Sequence, residues 1–257
     1  MKRILILSPH QDDEILSSYY LLKKTSHEKN LAYIAFATNG DYHGEEIARM
    51  RYYESIRAIM SCNVSPSHVF FLGYSDTGMR SDHSFLWNLY YNDTIPCKTK
   101  HTKTWHPNNL KTFHNMLYAE EAAYTRDSFV QDLYMLFKIV SPDILIIPSY
   151  YDLHGDHHAL YMFVTYVMNK YHLFIPIWCY LIHSKNERKW PNRTGDFFEM
   201  PQNVPQAVWE KRIVISGDAS LKNTKKRVIA SFISQAPKEN NEFLLSFAKN
   251  EEVFLVN

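Results

Sequence analysis

The sequence predicts an α/β fold: a mostly parallel sheet with helices on both faces. Three observations carry this expectation. Short, continuous apolar runs at residues 4–7, 31–37 and 144–147 look like strands buried on both faces. Stretches with helical spacing separate them. Polar turns mark the places where strand gives way to helix, and regular alternation of this kind is the pattern of a doubly covered parallel sheet.

The elements follow in order. Ile4, Leu5, Ile6 and Leu7 form the first strand, and a polar turn spans residues 10–14. Ile15, Leu16, Tyr19, Tyr20 and Leu22 then recur at helical spacing, ending near Lys23 and Lys24, where cations suit a helix C-terminus. The second strand, 31–37, is closed by Thr38-Asn39-Gly40-Asp41. A helix over 45–61 shows its apolar face through Ile47, Met50, Ile56 and Ile59, and 69–72 is a third strand. Residues 75–116 break the rhythm. They are rich in Asp, Asn, Thr, Lys and His, and the interleaved Trp87, Tyr90, Tyr91 and Trp105 predict an ordered flap or insertion. The rhythm resumes with an amphipathic helix over 128–140, stopped by Ser141-Pro142-Asp143. A strand at 144–147, a helix over 156–170, strands at 175–182 and 212–216, and a helix over 221–234 follow. Residues 243–247 and 253–256 are apolar and are expected to pack. The whole is read as one domain of 257 residues, Rossmann-like in arrangement.

Composition narrows the function. With 28 Lys+Arg against 27 Asp+Glu, the formal charge is +1, which argues against holding a nucleic-acid backbone by bulk charge. A hydrophobic fraction of 46% with 21% charged residues is that of an ordinary globule. Only 7 Gly are present, and no Gly-rich phosphate loop is found. Cys62, Cys97 and Cys179 are odd in number and far apart, which suggests neither a disulfide framework nor a thiolate zinc site. The N-terminal apolar run of four residues is too short for a secretory signal, and no run reaches the roughly 18 apolar residues of a membrane span. A cytoplasmic protein without a membrane span is the expectation.

Two clusters carry the chemistry. His10-Gln11-Asp12-Asp13-Glu14 directly follows the first strand, and His154-Gly155-Asp156-His157-His158 follows the strand at 144–147. Strand C-terminal ends of an open parallel sheet lie along one edge, where ligands bind. The clusters can therefore face each other across one or two strand spacings of roughly 4.8 Å. Two imidazoles and a carboxylate form a good set for zinc with room for a water; ferrous iron or cobalt would fit similar ligands. Taken alone, Glu14 reads as a helix-start cap and dipole partner, and His158 as a solvent-facing or supporting residue.

These residues resemble the PIG-L/LmbE-like zinc deacetylases, which remove N-acetyl groups from glucosamine-containing substrates. The family's (A/P)HPDDE motif is matched by Pro9-His10-Gln11-Asp12-Asp13-Glu14, with Gln11 in place of the usual Pro. Its HxDH motif is matched by His154-Gly155-Asp156-His157, preceded by Asp152. Weaker matches are Arg51-Tyr52-Tyr53-Glu54, Phe71-Leu72-Gly73-Tyr74-Ser75-Asp76, Tyr180-Leu181-Ile182-His183 and Trp190-Pro191. The resemblance implies that His10, Asp13 and His157 bind the metal, with Asp12 as general base. It implies that His154 stabilises the oxyanion or protonates the leaving amine, oriented by Asp156. It places Arg51 and Asp76 on the substrate, and His183, which ends a strand, is a further pocket candidate. The implied substrate is a small amino-sugar conjugate losing an acetyl or other acyl group, with residues 75–116 deciding among conjugates. Two other readings remain open at this point: a phosphoesterase-like metal hydrolase, and a non-catalytic sugar- or nucleotide-binding module.

Overall fold

The computed structural model describes residues 1–95, 99–184, 190–235 and 238–256; Cys97 lies outside them. The elements are β1 (Arg3–Ser8), α1 (Asp13–His27), β2 (Leu31–Thr38), α2 (Glu45–Ser61), β3 (Val69–Tyr74), α3 (Phe85–Tyr91), α4 (Phe113–Tyr118) and α5 (Arg126–Val140). There follow β4 (Ile144–Pro148), α6 (Gly155–Lys170), β5 (Ile177–Tyr180), α7 (Gln206–Trp209), β6 (Ile213–Ser216), α8 (Ala219–Ile229), α9 (Lys238–Leu245) and β7 (Glu251–Phe254).

The main sheet has the order β3-β2-β1-β4-β5, with every pair parallel. This is the open, Rossmann-like α/β sheet expected. The apolar runs explain why: Leu5, Ile6, Ile34, Phe36, Leu145, Ile146 and Ile147 are buried, and only a strand covered on both faces uses such residues at consecutive positions. Burying each large aliphatic side chain contributes about 1.5–3 kcal/mol. The chain order turns back between β1 and β4, which makes their C-terminal ends the topological switch point where an open α/β sheet leaves a crevice. Both chemical clusters follow these two strands.

Three differences from the sequence reading concern the ends of elements and the last strands. The strand expected over 175–182 is confined to β5; its start follows Pro176, which has no N–H for the ladder. β6 does not extend the parallel sheet. It pairs antiparallel with β7, its residues alternating in exposure as suits a ribbon with one wet face. The helix expected over 221–234 ends at Ile229.

The described part of the 75–116 insertion is packed. Phe85, Leu86 and Leu89 on α3 are fully buried, and Lys103 makes an antiparallel bridge to Ala123. Among the described residues no helix is long and apolar enough to cross a membrane.

Helix α1 kinks at Ser18, where φ is −135°. Two buried charges are inserted at the break. Lys225 Nζ donates to the Leu16 carbonyl at 2.8 Å and to Glu252 at 2.8 Å. Glu252 accepts the N–H groups of Tyr20 and Leu21 at 2.8 and 3.0 Å. The Leu16 carbonyl and the Tyr20 N–H would have bonded each other in a straight helix, so the ion pair replaces that hydrogen bond and fixes the bend.

Candidate metal centre and active site

The first cluster is shaped by its turn. The Asp12 carbonyl accepts the N–H groups of Ile15 and Leu16 at 2.9 Å, which starts α1. Asp12 itself sits at φ 144°, a region that costs a non-glycine residue of order 1–3 kcal/mol. Glu14 accepts the Asp12 N–H at 3.0 Å and is wholly buried, so it does serve the turn. Burial pushes its carboxyl well above the usual range. Gln11 donates from Nε2 to the Thr38 carbonyl at 2.7 Å, tying the turn to β2. Gly40, at φ +62°, lets the turn close: a Cβ there would lie 2.5 Å from Gln11 Oε1 and 2.8 Å from Arg51 Nε.

The second cluster opens α6. His154 is the N-cap, its Nδ1 accepting the Asp156 N–H at 3.2 Å. That leaves the proton of the neutral ring on Nε2. Gly155 passes so close to the insertion that a Cβ would meet Ser84 Cβ at 2.5 Å.

The two turns meet. His157 Nε2 lies 3.3 Å from His10 Nδ1 and 3.2 Å from Asp13 Oδ2, and His10 Nδ1 lies 3.5 Å from the same Asp13 oxygen. A tetrahedral ion with ligand distances of about 2.0–2.2 Å holds its donors about 3.3–3.6 Å apart. The three atoms therefore sit at the spacing of one face of such a tetrahedron. A nitrogen of His154 falls within 4.8 Å of those of His10 and His157.

The electrostatics agree. Burial alone would lower the His10 pKa, yet Asp76, Asp13 and Asp156 raise it to about 10. Asp13 and Asp152 outweigh burial in the same way and raise His157 well above the ordinary value. The carboxylates thus favour positive charge at this point, which a divalent cation would supply. The residues fit a zinc-like ion.

Each of the two imidazoles that could bind an ion is held from behind by a carboxylate. His157 Nδ1 lies 3.1 Å from Asp152 Oδ2. Asp152 also accepts the N–H groups of Ile182, His183 and His154 at 2.9, 3.1 and 2.9 Å, so one carboxylate joins the β4 and β5 ends. His10 Nε2 lies 3.2 Å from Asp156 Oδ2. Such partners fix ring orientation and raise ligand basicity.

Here the structure corrects one assignment. The Asp156 carboxylate is not directed to His154 but to His10, to Ser84 Oγ at 2.5 Å and to the Leu86 N–H at 2.7 Å. Only its backbone N–H reaches His154. Burial and the neighbouring imidazoles of His10, His157 and His183 instead push the His154 pKa well down. The helix N-cap geometry is the reason: the backbone amide caps the ring while the side chain turns back toward the insertion.

A cavity of about 240 Å³ opens above the centre. Seven of the nine residues singled out from sequence line it: His10, Asp12, Asp13, Arg51, Asp76, His154 and His183. Asp156 and His157 are fully buried behind them. Burial outweighs the pull of Arg51 and raises the Asp12 pKa to about 7. That is the range useful for accepting a proton at neutral pH. Arg51 donates to the Gln11 carbonyl at 3.0 Å, with guanidinium nitrogens 3.6 Å from Asp12 and 4.0 Å from Asp76. His183 stacks on Phe243 at 5.6 Å and forms one wall. His158 is turned away from the cavity, between Tyr91 and the Tyr150 carbonyl.

Several contributions to the site are not legible in the sequence. Asp152 was visible two residues before the second cluster, but nothing local marked its four donors. Ser84 lies 72 positions from Asp156. Met79, Gln235 and Leu244 line the cavity without any motif of their own.

No curated protein matches the chain in sequence. Solved structures do. A deacetylase for the A40926 pseudoaglycone is 13% identical with a TM-score of 0.61, over 99% of this chain and 96% of that one. The N,N'-diacetylchitobiose deacetylase from Pyrococcus horikoshii is 16% identical with a TM-score of 0.61, over 98% of this chain and 82% of that one. A 4-carboxy-2-hydroxymuconate hydratase from Pseudomonas putida is 12% identical with a TM-score of 0.52, over 96% of this chain and 83% of that one. At these identities the likeness is one of fold, and the fold alone does not choose between hydrolysis and hydration. The family profile is more specific. The pattern described as PIG-L, GlcNAc-PI de-N-acetylase, matches residues 5–168, spanning both clusters and the strands that present them. The chain belongs to the PIG-L (GlcNAc-PI de-N-acetylase) family.

Proposed function

We propose that the chain is a zinc-dependent hydrolase that removes an N-acetyl group, or a related N-acyl group, from a small amino-sugar conjugate in the cytoplasm. One observation carries the reading: three donor atoms from two distant turns, at tetrahedral spacing, with the Asp12 carboxylate lining the cavity beside them. Family membership and the two deacetylases among the structural relatives support the same chemistry. So does the His₂Asp donor set, which suits zinc and would also accept ferrous iron.

His10, Asp13 and His157 would hold the ion. When bound, it supplies Lewis acidity and brings the pKa of a water from 15.7 to about 7. The protein's own groups do the rest. Asp12 takes the proton from the attacking water and returns it to the leaving amine, a role open to a carboxylate near neutrality. His154 donates from Nε2 to the acyl oxygen as negative charge develops there. Losing one such donor costs about 2.7–4 kcal/mol of barrier, or 10²–10³ in turnover. Arg51 and Asp76, held against each other at the rim, take the sugar hydroxyls. His183 and Phe243 close the opposite side.

The test is acetate release from N-acetylglucosamine derivatives by zinc-loaded protein. Asp12→Asn retains zinc and loses turnover, whereas His157→Ala loses zinc. An Asp12→Asn variant as active as the wild type refutes the base assignment.

A further inference from the structure

We propose that a second cavity beside the catalytic one is a subsite for a neutral sugar ring joined to the ring that carries the amide. The placement of that amide rests on the deacylase reading. The cavity measures about 350 Å³, within the range of about 300–1,000 Å³ usual for small-molecule sites. It lies at the C-terminal ends of β2 and β3, on the same sheet edge as the catalytic cavity, and Asp76 lines both. A substrate fixed by its amide at one therefore reaches the other past a single side chain.

The partition is built rather than loose. Asp41 Oδ1 accepts the Asp76 N–H at 2.6 Å, and Asp76 Oδ1 accepts the Gly78 N–H at 3.1 Å. The far wall comes from the insertion. The His101 ring stacks on Trp105 at 4.4 Å, and its Nε2 lies 3.3 Å from Glu45. Trp105 in turn is bonded through its backbone to Gly73 and Asn39, at the ends of β3 and β2. The floor is Tyr42, which is 49% exposed. Its ring lies over Gly78, at φ +121°, where a Cβ would approach Cε2 to 3.0 Å.

The lining chooses the ligand class. It contains no Leu, Ile, Val, Met or Phe, so it does not suit an acyl chain; the catalytic cavity, with Leu16, Met79, Phe243 and Leu244, has the apolar surface. Three carboxylates, Asp41, Glu45 and Asp76, face one ammonium, Lys100, which disfavours a phosphate or carboxylate ligand. A half-exposed aromatic ring flanked by hydroxyl and carboxylate acceptors matches a ring of hydroxyls with an apolar face.

The experiment measures binding of N-acetylglucosamine and of N,N'-diacetylchitobiose to zinc-loaded Asp12→Asn protein by calorimetry. The disaccharide is expected to bind at least about tenfold more tightly. Tyr42→Ala in the same background is expected to remove most of that advantage while leaving monosaccharide binding unchanged. Equal affinity for the two sugars overturns the proposal. So does a tenfold gap that survives both Tyr42→Ala and Glu45→Gln. If zinc-loaded wild type frees no acetate from either sugar while the Tyr42-dependent gap persists, the deacylase reading fails and the subsite stands.

Discussion

Asp152→Asn isolates the support behind the proposed metal ligands from the ligands themselves. Asp152 touches no ion donor except through His157 Nδ1, at 3.1 Å, and both side chains are fully buried. The substitution keeps the shape and removes the charge. Burial alone would raise the Asp152 pKa; the His157 imidazole and the hydrogen bonds it receives hold it below the ordinary range, so the carboxylate is the form the site uses. Loss of such a partner typically weakens metal binding by 10–100-fold, or about 1.4–2.7 kcal/mol. A second effect accompanies it. Asp152 accepts four donors, from His157, Ile182, His183 and His154, and one amide oxygen cannot satisfy them all. Each donor left unpaired costs about 1–3 kcal/mol of stability. Chelator competition gives the zinc affinity, and denaturant unfolding of metal-free protein gives the stability. Both should fall. Zinc affinity within twofold of wild type would refute the claim that Asp152 tunes His157.

Further expectations concern the frame around the site. Gly155→Ala forces a Cβ against Ser84 and Ser81, so stability should drop by about 1–3 kcal/mol and turnover should fall with it, as Asp156 loses its Ser84 anchor; unchanged unfolding and kinetics would contradict this contact. Lys225→Met strands the buried Glu252 at the kink of α1 and should cost about 3–5 kcal/mol in denaturant unfolding. The double change Lys225→Met with Glu252→Gln should recover part of that loss. Burial raises the thiols of Cys62 and Cys179 from 9.0 to about 12. The folded state then holds protons that the unfolded chain releases. Their contribution is intact below pH 9 and is lost as pH rises from 9 toward 12, with a slope of about 1.4 kcal/mol per pH unit for each thiol. Cys62→Ala with Cys179→Ala should flatten that limb of a stability–pH curve.

What the sequence disclosed and what it withheld follow one physical division. Runs such as residues 4–7 and 144–147 are legible because a strand buried on both faces needs consecutive apolar residues, and α5 because a one-sided helix repeats its apolar face. The two polar turns after β1 and β4 are legible because they concentrate ionisable residues where the fold would otherwise place few. β6 resisted, since four residues of alternating exposure do not reveal whether the partner is parallel. The direction of the Asp156 side chain resisted as well. Adjacency suggested His154, but the partners are His10 and Ser84, brought in by the sheet and the insertion. Hydrogen bonds between distant side chains leave no period to read. The second cavity was hidden for the same reason: its walls come from residues 41–45, 75–77 and 99–101, three segments with no shared motif.

Under the proposed function, one divalent ion would be shared by His10 Nδ1, Asp13 Oδ2 and His157 Nε2. Anomalous diffraction at the zinc edge from a zinc-loaded crystal tests it directly. A single peak per chain is expected, about 2.0–2.2 Å from each of those three atoms. A peak elsewhere in the cavity, or no peak between the two imidazoles, would contradict it.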